Sequence, residues 1–369
     1  MKLIVLKNKL KTGLMNVGRV SGESASLPIL KHILIRAGNG RIVLHSTNLE
    51  MGVQYVIPGK VIEDGAVTID SSMFSSLISA LPTERVHLER DEDHLLVKTD
   101  NYEAKLLGLK PEDFPLFPDI QQDRQRIVFK NGVLPRVLSR VLSAAQHSDL
   151  RPELSGVLLH ITPDEIVCAA TDSFRLAEHA VPNDSFTTDH ASEARVGIPL
   201  KAASEIVRIT TGTEDIAVDV DNNQIQFSSD DFRLISRRLE GTFPEYKHII
   251  PQSVDTEILI DRKALMDGLR LAGIFTGAVY EVRIRVLDNK KAIEVSSESQ
   301  GLGANTYVVP AKVTGAVAAT TFNWKYLADG LRAFESDAIV FGLNGSDRPA
   351  VLKSPDVERY VYIVMPVRQ

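Results

Sequence analysis

The stretch IVCAATDSFRLAEHAVP, residues 166–182, decides how this chain is read. Thr171, Asp172, Ser173, Arg175 and His179 crowd polar groups into an otherwise apolar segment. An Asp, a Ser and a His could be parts of a hydrolase. They could equally be a strand, a turn and another strand. A sister segment, IVLHSTNLEMGVQYVIP, stands at 42–58, and a weaker copy, IEVSSESQGLGANTYVVP, at 293–310. The spacing of about 125 residues is too long for a solenoid unit and suits a whole domain.

Other segments recur around these in the same order. A helix with basic residues opens each copy, at 7–20, 130–147 and 261–275. In the middle copy Leu134, Val137, Leu138, Val141, Leu142 and Ala145 keep the helical period and mark a buried face. A strand pair follows, then a second helix at 70–82, 199–211 and 322–334. A hairpin closes each copy, at 86–109, 216–239 and 339–367, with turn residues such as Asp221, Asn222 and Asn223. The first two copies end on DFPLFPDI (113–120) and GTFPEYKHIIP (241–251), whose prolines read as linkers. The expected domains are 1–120, 121–252 and 253–369, each α+β with two helices packed on antiparallel strands.

The chain has 369 residues, 44% apolar and 24% charged, the balance of a globular protein. A single cysteine, Cys168, excludes an internal disulfide and fits a reducing compartment. Lys7, Lys9 and Lys11 interrupt the apolar start too early for a secretory core. No apolar run approaches the roughly 18 residues of a membrane span. A cytoplasmic location is expected.

The net charge of -6 argues against a nucleic-acid binder, but its distribution argues otherwise. Lys7 and Lys11, and Arg136 and Arg140, are four apart; Lys201 and Arg208, Lys263 and Arg270, and Lys325 and Arg332 are seven apart. Such spacings share one helix face. Five of six expected helices thus carry a basic stripe, and only 71–81 has no Lys or Arg. The hairpins carry acid instead: Asp91, Glu92 and Asp93, then Asp219, Asp221, Asp230 and Asp231. Basic helices on an acidic molecule suit contact with phosphates, without base readout.

Catalytic signatures are missing. There is no Walker phosphate loop and no G-x-S-x-G elbow, and Gly301 with Gly303 makes only a fragment of a dinucleotide motif. The nine histidines have neither H-x-x-x-H spacing nor cysteine partners. No catalytic residue, metal or cofactor is expected. Asp172, Ser173 and His179 remain the only triad that can be drawn, and nothing in the sequence returns His179 to Ser173.

The repeat, the basic helices and several local motifs together resemble the bacterial replicative sliding clamps, the beta subunit family of DNA polymerase III. The motifs are LPILKHILI (27–35), STNLEMGV (46–53), ATDSFRLA (170–177), GTFPEYKHIIP (241–251) and YVYIVMPVRQ (360–369). The resemblance spans the chain. It implies three clamp-type domains, closed as a head-to-tail homodimeric ring with helices lining the hole around double-stranded DNA. It implies a pocket for short linear motifs of the polymerase III catalytic subunit, the clamp loader, other polymerases and repair proteins. The matching positions are Leu154, Thr171, Ser173, Phe174, Arg175, Leu176, Pro244, His248, Ile249, Ile363, Met365, Pro366, Val367 and Arg368. It implies dimer contacts joining Ala104 and Leu106 to Ile274 and Phe275. Ser173–Phe174 replaces a Gly-His pair common in the family, and His248 replaces an Arg, which would alter the pocket's rim. Ser24 stands where some members carry Arg. The alternative is a monomeric peptide-binding adaptor of the same fold.

Overall fold

The computed structural model describes residues 1–22, 27–120, 124–189, 192–356 and 359–367. Ser24, Arg368 and the expected boundary at 121 lie outside them. Among the described residues there are six α-helices: α1 (Lys7–Val17), α2 (Ser71–Ala80), α3 (Val133–Val141), α4 (Leu200–Ile209), α5 (Arg262–Gly273) and α6 (Trp324–Arg332). Local chemistry sets several starts. Asp70 accepts from Met73 N at 2.8 Å, Asp261 from Ala264 N at 2.7 Å and Asn323 from Lys325 N at 3.0 Å. The first helix of the middle copy is shorter than expected. Its helical pattern over 142–144 is a 3-10 turn instead.

Among the described residues all strand pairs are antiparallel, and the pattern repeats three times. Each copy has a five-stranded and a four-stranded arrangement, and six strands end them. In chain order these are β1 (Met51–Ile57), β2 (Glu103–Leu107), β3 (Arg175–Pro182), β4 (Phe232–Arg237), β5 (Gly303–Gly315) and β6 (Tyr360–Val364). In the first copy the five-stranded order is 59–63, 2–6, 85–91, 94–98, β2. Its four-stranded order is 65–70, 32–38, 41–47, β1. The later copies follow suit, with β4 and β6 in the place of β2, and β3 and the first part of β5 in the place of β1.

Two departures from the sequence expectation stand out. Each copy begins with a strand, Lys2–Leu6, Gln125–Phe129 and Thr256–Asp261, that the helix–strand–helix–hairpin scheme omits. Five or six alternating residues running directly into a helix leave no turn signal to separate them. The closing hairpin is a three-stranded meander, because β2, β4 and β6 follow the hairpin proper.

The chain forms two compact units. The first comprises residues 1–132, 187–189 and 208–238; the second comprises 133–186, 190–207 and 239–369. Sheet continuity accounts for each. In the first, β4 pairs with β1, Leu234 facing Val53 and Ile235 facing Gly52. In the second, β3 pairs with β6, Leu176 facing Ile363 and Ala177 facing Tyr362. The middle sequence repeat therefore contributes strands to both units. The linkers are packed: Phe117 sits over Gly52, where a Cβ would approach its ring to 3.0 Å. Phe243 and Tyr246 join Leu154, Leu158, Leu176, Val351 and Ile363 in one cluster.

Buried histidines give the fold a pH dependence. His45 is 8% exposed, lies edge-on to Phe117, and is lowered to about 4 by burial and then by Arg36. The folded state resists protonation that the unfolded state accepts near 6.5. His45's contribution is therefore complete above pH 6.5 and is lost as pH falls towards 4, by up to about 3 kcal/mol. Urea titrations across this window should show the loss, and His45→Gln should reduce it, leaving the part due to His179, which burial also lowers to about 4.

Candidate functional site

The quoted stretch forms a turn between two strands, and its sister forms the same turn. Thr171 Oγ1 donates to Arg175 O at 2.7 Å, as Thr47 Oγ1 donates to Met51 O at 3.0 Å. Asp172 Oδ1 accepts from Phe174 N and Arg175 N at 2.9 and 3.0 Å; Asn48 Oδ1 accepts from Glu50 N and Met51 N at 3.1 and 2.8 Å. Ser173 and Leu49 occupy the left-handed region, at φ 77° and 73°. The shared Thr-Asp/Asn pair is turn chemistry.

The hydrolase alternative lacks geometry. Ser173 Oγ accepts from Arg151 Nη1 at 2.9 Å. His179 lies four residues beyond Arg175 along β3, roughly 13 Å at strand rise, with its ring 5.9 Å from that of Tyr360. Burial, then Arg140 and Arg136, lower it to about 4. Cys168 is buried and its thiol is pushed up to about 12 by burial, so it is an inert core residue. Among the described residues no group of three or more His, Cys, Asp or Glu could hold a metal ion.

What the middle copy adds is a recess in the second unit. Thr171, Ser173, Arg175, Leu176, His248, Ile249, Ile363 and Met365 line a cavity of 570 Å³. Beside it Ser173, Phe174, Met365, Pro366 and Val367 line a second cavity, also of 570 Å³. Ser173 and Met365 belong to both and so form the wall between them. Met365 N donates to Phe174 O at 2.8 Å, tying the C-terminal segment to the turn. Phe174 is 59% exposed and stacks on Tyr326, centroids 6.3 Å apart.

Two residues of the expected pocket do not line it. Leu154 is buried in the cluster beneath, and half-buried Pro244 lies outside both linings. The sequence reading missed Pro251, Gln252, Ser253, Asn344, Arg348 and Pro349 in the first cavity, and Val279, Asn323 and Tyr326 in the second. Pro251 ends the motif GTFPEYKHIIP, Asn323 caps α6 and Tyr326 lies on it, and the others come from loops that no local motif marks.

Arg175 organises the floor. Its Nε meets Asp172 Oδ2 at 2.8 Å, its Nη1 meets Asp329 Oδ2 at 2.7 Å, and its guanidinium lies 4.5 Å from the Tyr326 ring centre. Burial opposes its charge, but the carboxylates of Asp329 and Asp172 outweigh burial and hold it protonated.

The basic stripe is mixed in character. Lys11, Arg136, Lys201, Lys263, Arg270, Lys325 and Arg332 are exposed. Lys7 Nζ donates to Leu81 O, and Arg208 Nη1 donates to Met15 O at 3.0 Å. Arg140 departs from the expected open face: it is 8% exposed, pairs with Glu335 at 3.0 Å and lies 5.9 Å from the Tyr360 ring centre. The inward side of α3 at that point has a carboxylate and a ring to receive it. Of the expected dimer contacts, Ala104 and Leu106 are half-buried on β2, Ile274 is 66% exposed just beyond α5, and Phe275 is half-buried.

A triplicated α+β scaffold with an apolar double recess is thus the class that fold and site define. Comparison with known proteins gives the particular family. Residues 1–118, 129–245 and 247–368 match the N-terminal, central and C-terminal domains of the DNA polymerase III beta subunit. The chain is 28% identical over 375 residues to the beta sliding clamp of Synechococcus elongatus, covering 100% of this chain and 99% of that one. It is 29% identical over 354 residues to that of Staphylococcus epidermidis, covering 93% of each. Among solved structures, the Bacillus subtilis sliding clamp superposes with a TM-score of 0.89 at 24% identity, covering 100% of this chain and 99% of that one. A Pseudomonas aeruginosa clamp bound to griselimycin superposes with a TM-score of 0.92 at 22% identity, covering 100% of each. These structural likenesses speak for the fold. The chain belongs to the DNA polymerase III beta subunit family, the beta sliding clamps, which are non-catalytic processivity factors.

The buried ion pairs make Arg175 a sensitive position. Arg175→Ala leaves the 5%-exposed Asp172 side chain without its cation and should cost about 3 kcal/mol. Equilibrium urea unfolding measures it.

Proposed function

We propose that two copies of this chain close head to tail into a ring around double-stranded DNA and tether a polymerase to it. The supporting observation is the edge bookkeeping of the three repeats. Within the chain β4 covers β1 and β6 covers β3. The equivalent strands left over are β2, the edge of its five-stranded sheet, and the first part of β5, which pairs on one side only with 292–299. Both carry apolar side chains into solvent, Leu107 at 66% and Val308 at 50% exposure. Open edges of this kind seek a partner strand. β2 of one copy fits β5 of another, giving six domains in a closed cycle of two chains. Ile274 stands exposed beyond α5, where a helix contact would accompany the strands.

Ring closure accounts for DNA retention by an acidic protein. Topological linkage holds the duplex, and the exposed basic stripe supplies a weak, sequence-independent attraction that permits sliding. The stripe then lines the hole. The double recess receives a short linear motif of the polymerase III catalytic subunit, the clamp loader, other polymerases and repair proteins. Apolar walls hold its large side chains, and Met365 adapts to different ones. Among the described residues no helix is long and apolar enough to cross a membrane; the proposed work on DNA would place the protein in the cytoplasm.

Internal register makes closure testable. Val53 faces Leu234 within the chain; by repeat equivalence, Asn305 should face the partner's Ala104. Ala104→Cys/Asn305→Cys should give an intersubunit disulfide on mild oxidation, the native Cys168 being buried. Sedimentation should give about twice the 40.6 kDa chain mass; a stable monomer would favour the adaptor reading. The loaded protein should stay on nicked circular DNA and leave the same DNA once linearised, and equal loss from both would sink the ring.

Met365 tests the recess separately. Met365→Ala should weaken binding of a polymerase-derived motif peptide about tenfold, or 1.4 kcal/mol, with the dimer intact. Unchanged affinity in calorimetry would place the docking site elsewhere.

A further inference from the structure

We propose that the second cavity of the double recess takes an aromatic side chain of the partner's motif, and that Phe174 is the residue that selects it. The proposal rests on the reading of the recess as a docking site for linear motifs, and it names the chemistry that one half of the recess accepts. Ser173, Phe174, Val279, Asn323, Tyr326 and the segment 365–367 line this cavity, and no acidic or basic side chain is among them. Phe174 and Val279 line it while 59% and 58% exposed, leaving apolar surface that a ligand would remove from water.

The lining has few hydrogen bonds left to give. Met365 N donates to Phe174 O and Val367 N to Thr321 O, each at 2.8 Å, and Pro366 between them has no N–H. Ser173 Oγ accepts from Arg151 Nη1 at 2.9 Å. Asn323 Oδ1 accepts from Lys325 N at 3.0 Å as the cap of α6. The remaining donors are Asn323 Nδ2 and the hydroxyls of Ser173 and Tyr326, none of them charged. A carboxylate entering here would shed its water and meet no cation. An amide would exchange full hydration for fewer bonds. A ring has neither cost. The first cavity differs: Arg175, His248, Arg348, Gln252 and Asn344 are in its lining, so polar groups of a motif find partners there.

Phe174 and Tyr326 supply the surface that a ring would meet. They stack at 25° with centroids 6.3 Å apart. A third ring extends such a pair in offset or edge-on geometry, the arrangement that aromatic contacts prefer. The internal repeat separates this pair from the scaffold. In the first unit Arg237 N donates to Glu50 O, as Met365 N does to Phe174 O. Glu50 is thus the counterpart of Phe174. On α4 the third residue is Ala202, where α6 has Tyr326. The turn forms with Glu50 and the helix with Ala202, so neither ring is required by the element that carries it. Both rings belong to the recess.

The test uses the full chain and a polymerase-derived motif peptide in which each position in turn is made Phe, Leu, Gln or Glu, with affinities from calorimetry. At one position Phe should bind about fivefold tighter than Gln or Glu, and about threefold tighter than Leu. Phe174→Ala should erase that preference, and Phe174→Tyr should keep it. A benzoylphenylalanine photolabel at the preferred position should attach to residues of the second cavity, as read by mass spectrometry. The proposal is overturned, with the docking reading intact, if peptides bind but no position prefers Phe over Leu and Gln. A preference that survives Phe174→Ala, or a photolabel found only in the first cavity, overturns it likewise. If the parent binds none of the peptides, the docking reading falls and this proposal with it.

Discussion

A β-strand at the edge of a sheet carries a row of unpaired N–H and C=O groups, and this fold is organised by how those rows are met. Each repeat ends in two such strands, and each repeat alone would leave both open. Pairing β4 with β1 and β3 with β6 satisfies four of the six within one chain. Edge strands are ordinarily blunted by charge, proline or a bulge. Here they are joined, so sheets of nine and twelve strands run across repeat boundaries. The linkers confirm that these junctions are packed, since Phe117, Phe243 and Tyr246 all have defined contacts.

The recess follows from the same junctions. β3 meets β6, which brings the turn at 171–175 next to Met365 and above the cluster holding Phe243 and Tyr246. The turn itself is inherited by repetition; its sister at 47–51 makes the same hydrogen bonds. Function enters at the residues the copies do not share. Arg175 replaces Met51 and ties the turn to α6 through Asp329. Phe174 replaces Glu50 and stacks on Tyr326. A duplicated scaffold can vary such positions at little cost, because the backbone bonds that set the turn come from Thr and Asp/Asn side chains two to four residues away.

Much of this was legible in one dimension. The threefold repeat, the two-helix composition of each copy and the turn role of Asp172 could be read because repetition, helical period and Asx chemistry are local signals. The basic stripe was legible as a spacing, though its members differ: Arg140 is buried against Glu335 while Arg136 is exposed. The leading strand of each copy is not legible in the sequence, because five alternating residues merging into a helix resemble the helix's own start. Of the nine lining residues outside the expected pocket, only Pro251 falls in a quoted motif; the others, Asn344 and Tyr326 among them, were not legible, since nothing local ties them to the turn at 171–175.

The sequence by itself determined the family, the triplication and the absence of a catalytic constellation. These depend on residue identity and order along the chain. Tertiary structure decided which edges are spent inside the chain, which cations are neutralised, and how the turn is completed into a double recess. The physical reason is distance along the chain. Leu176 and Ile363, Arg175 and Asp329, and Arg208 and Met15 meet only after strand pairing has joined segments that sequence periodicity treats as independent.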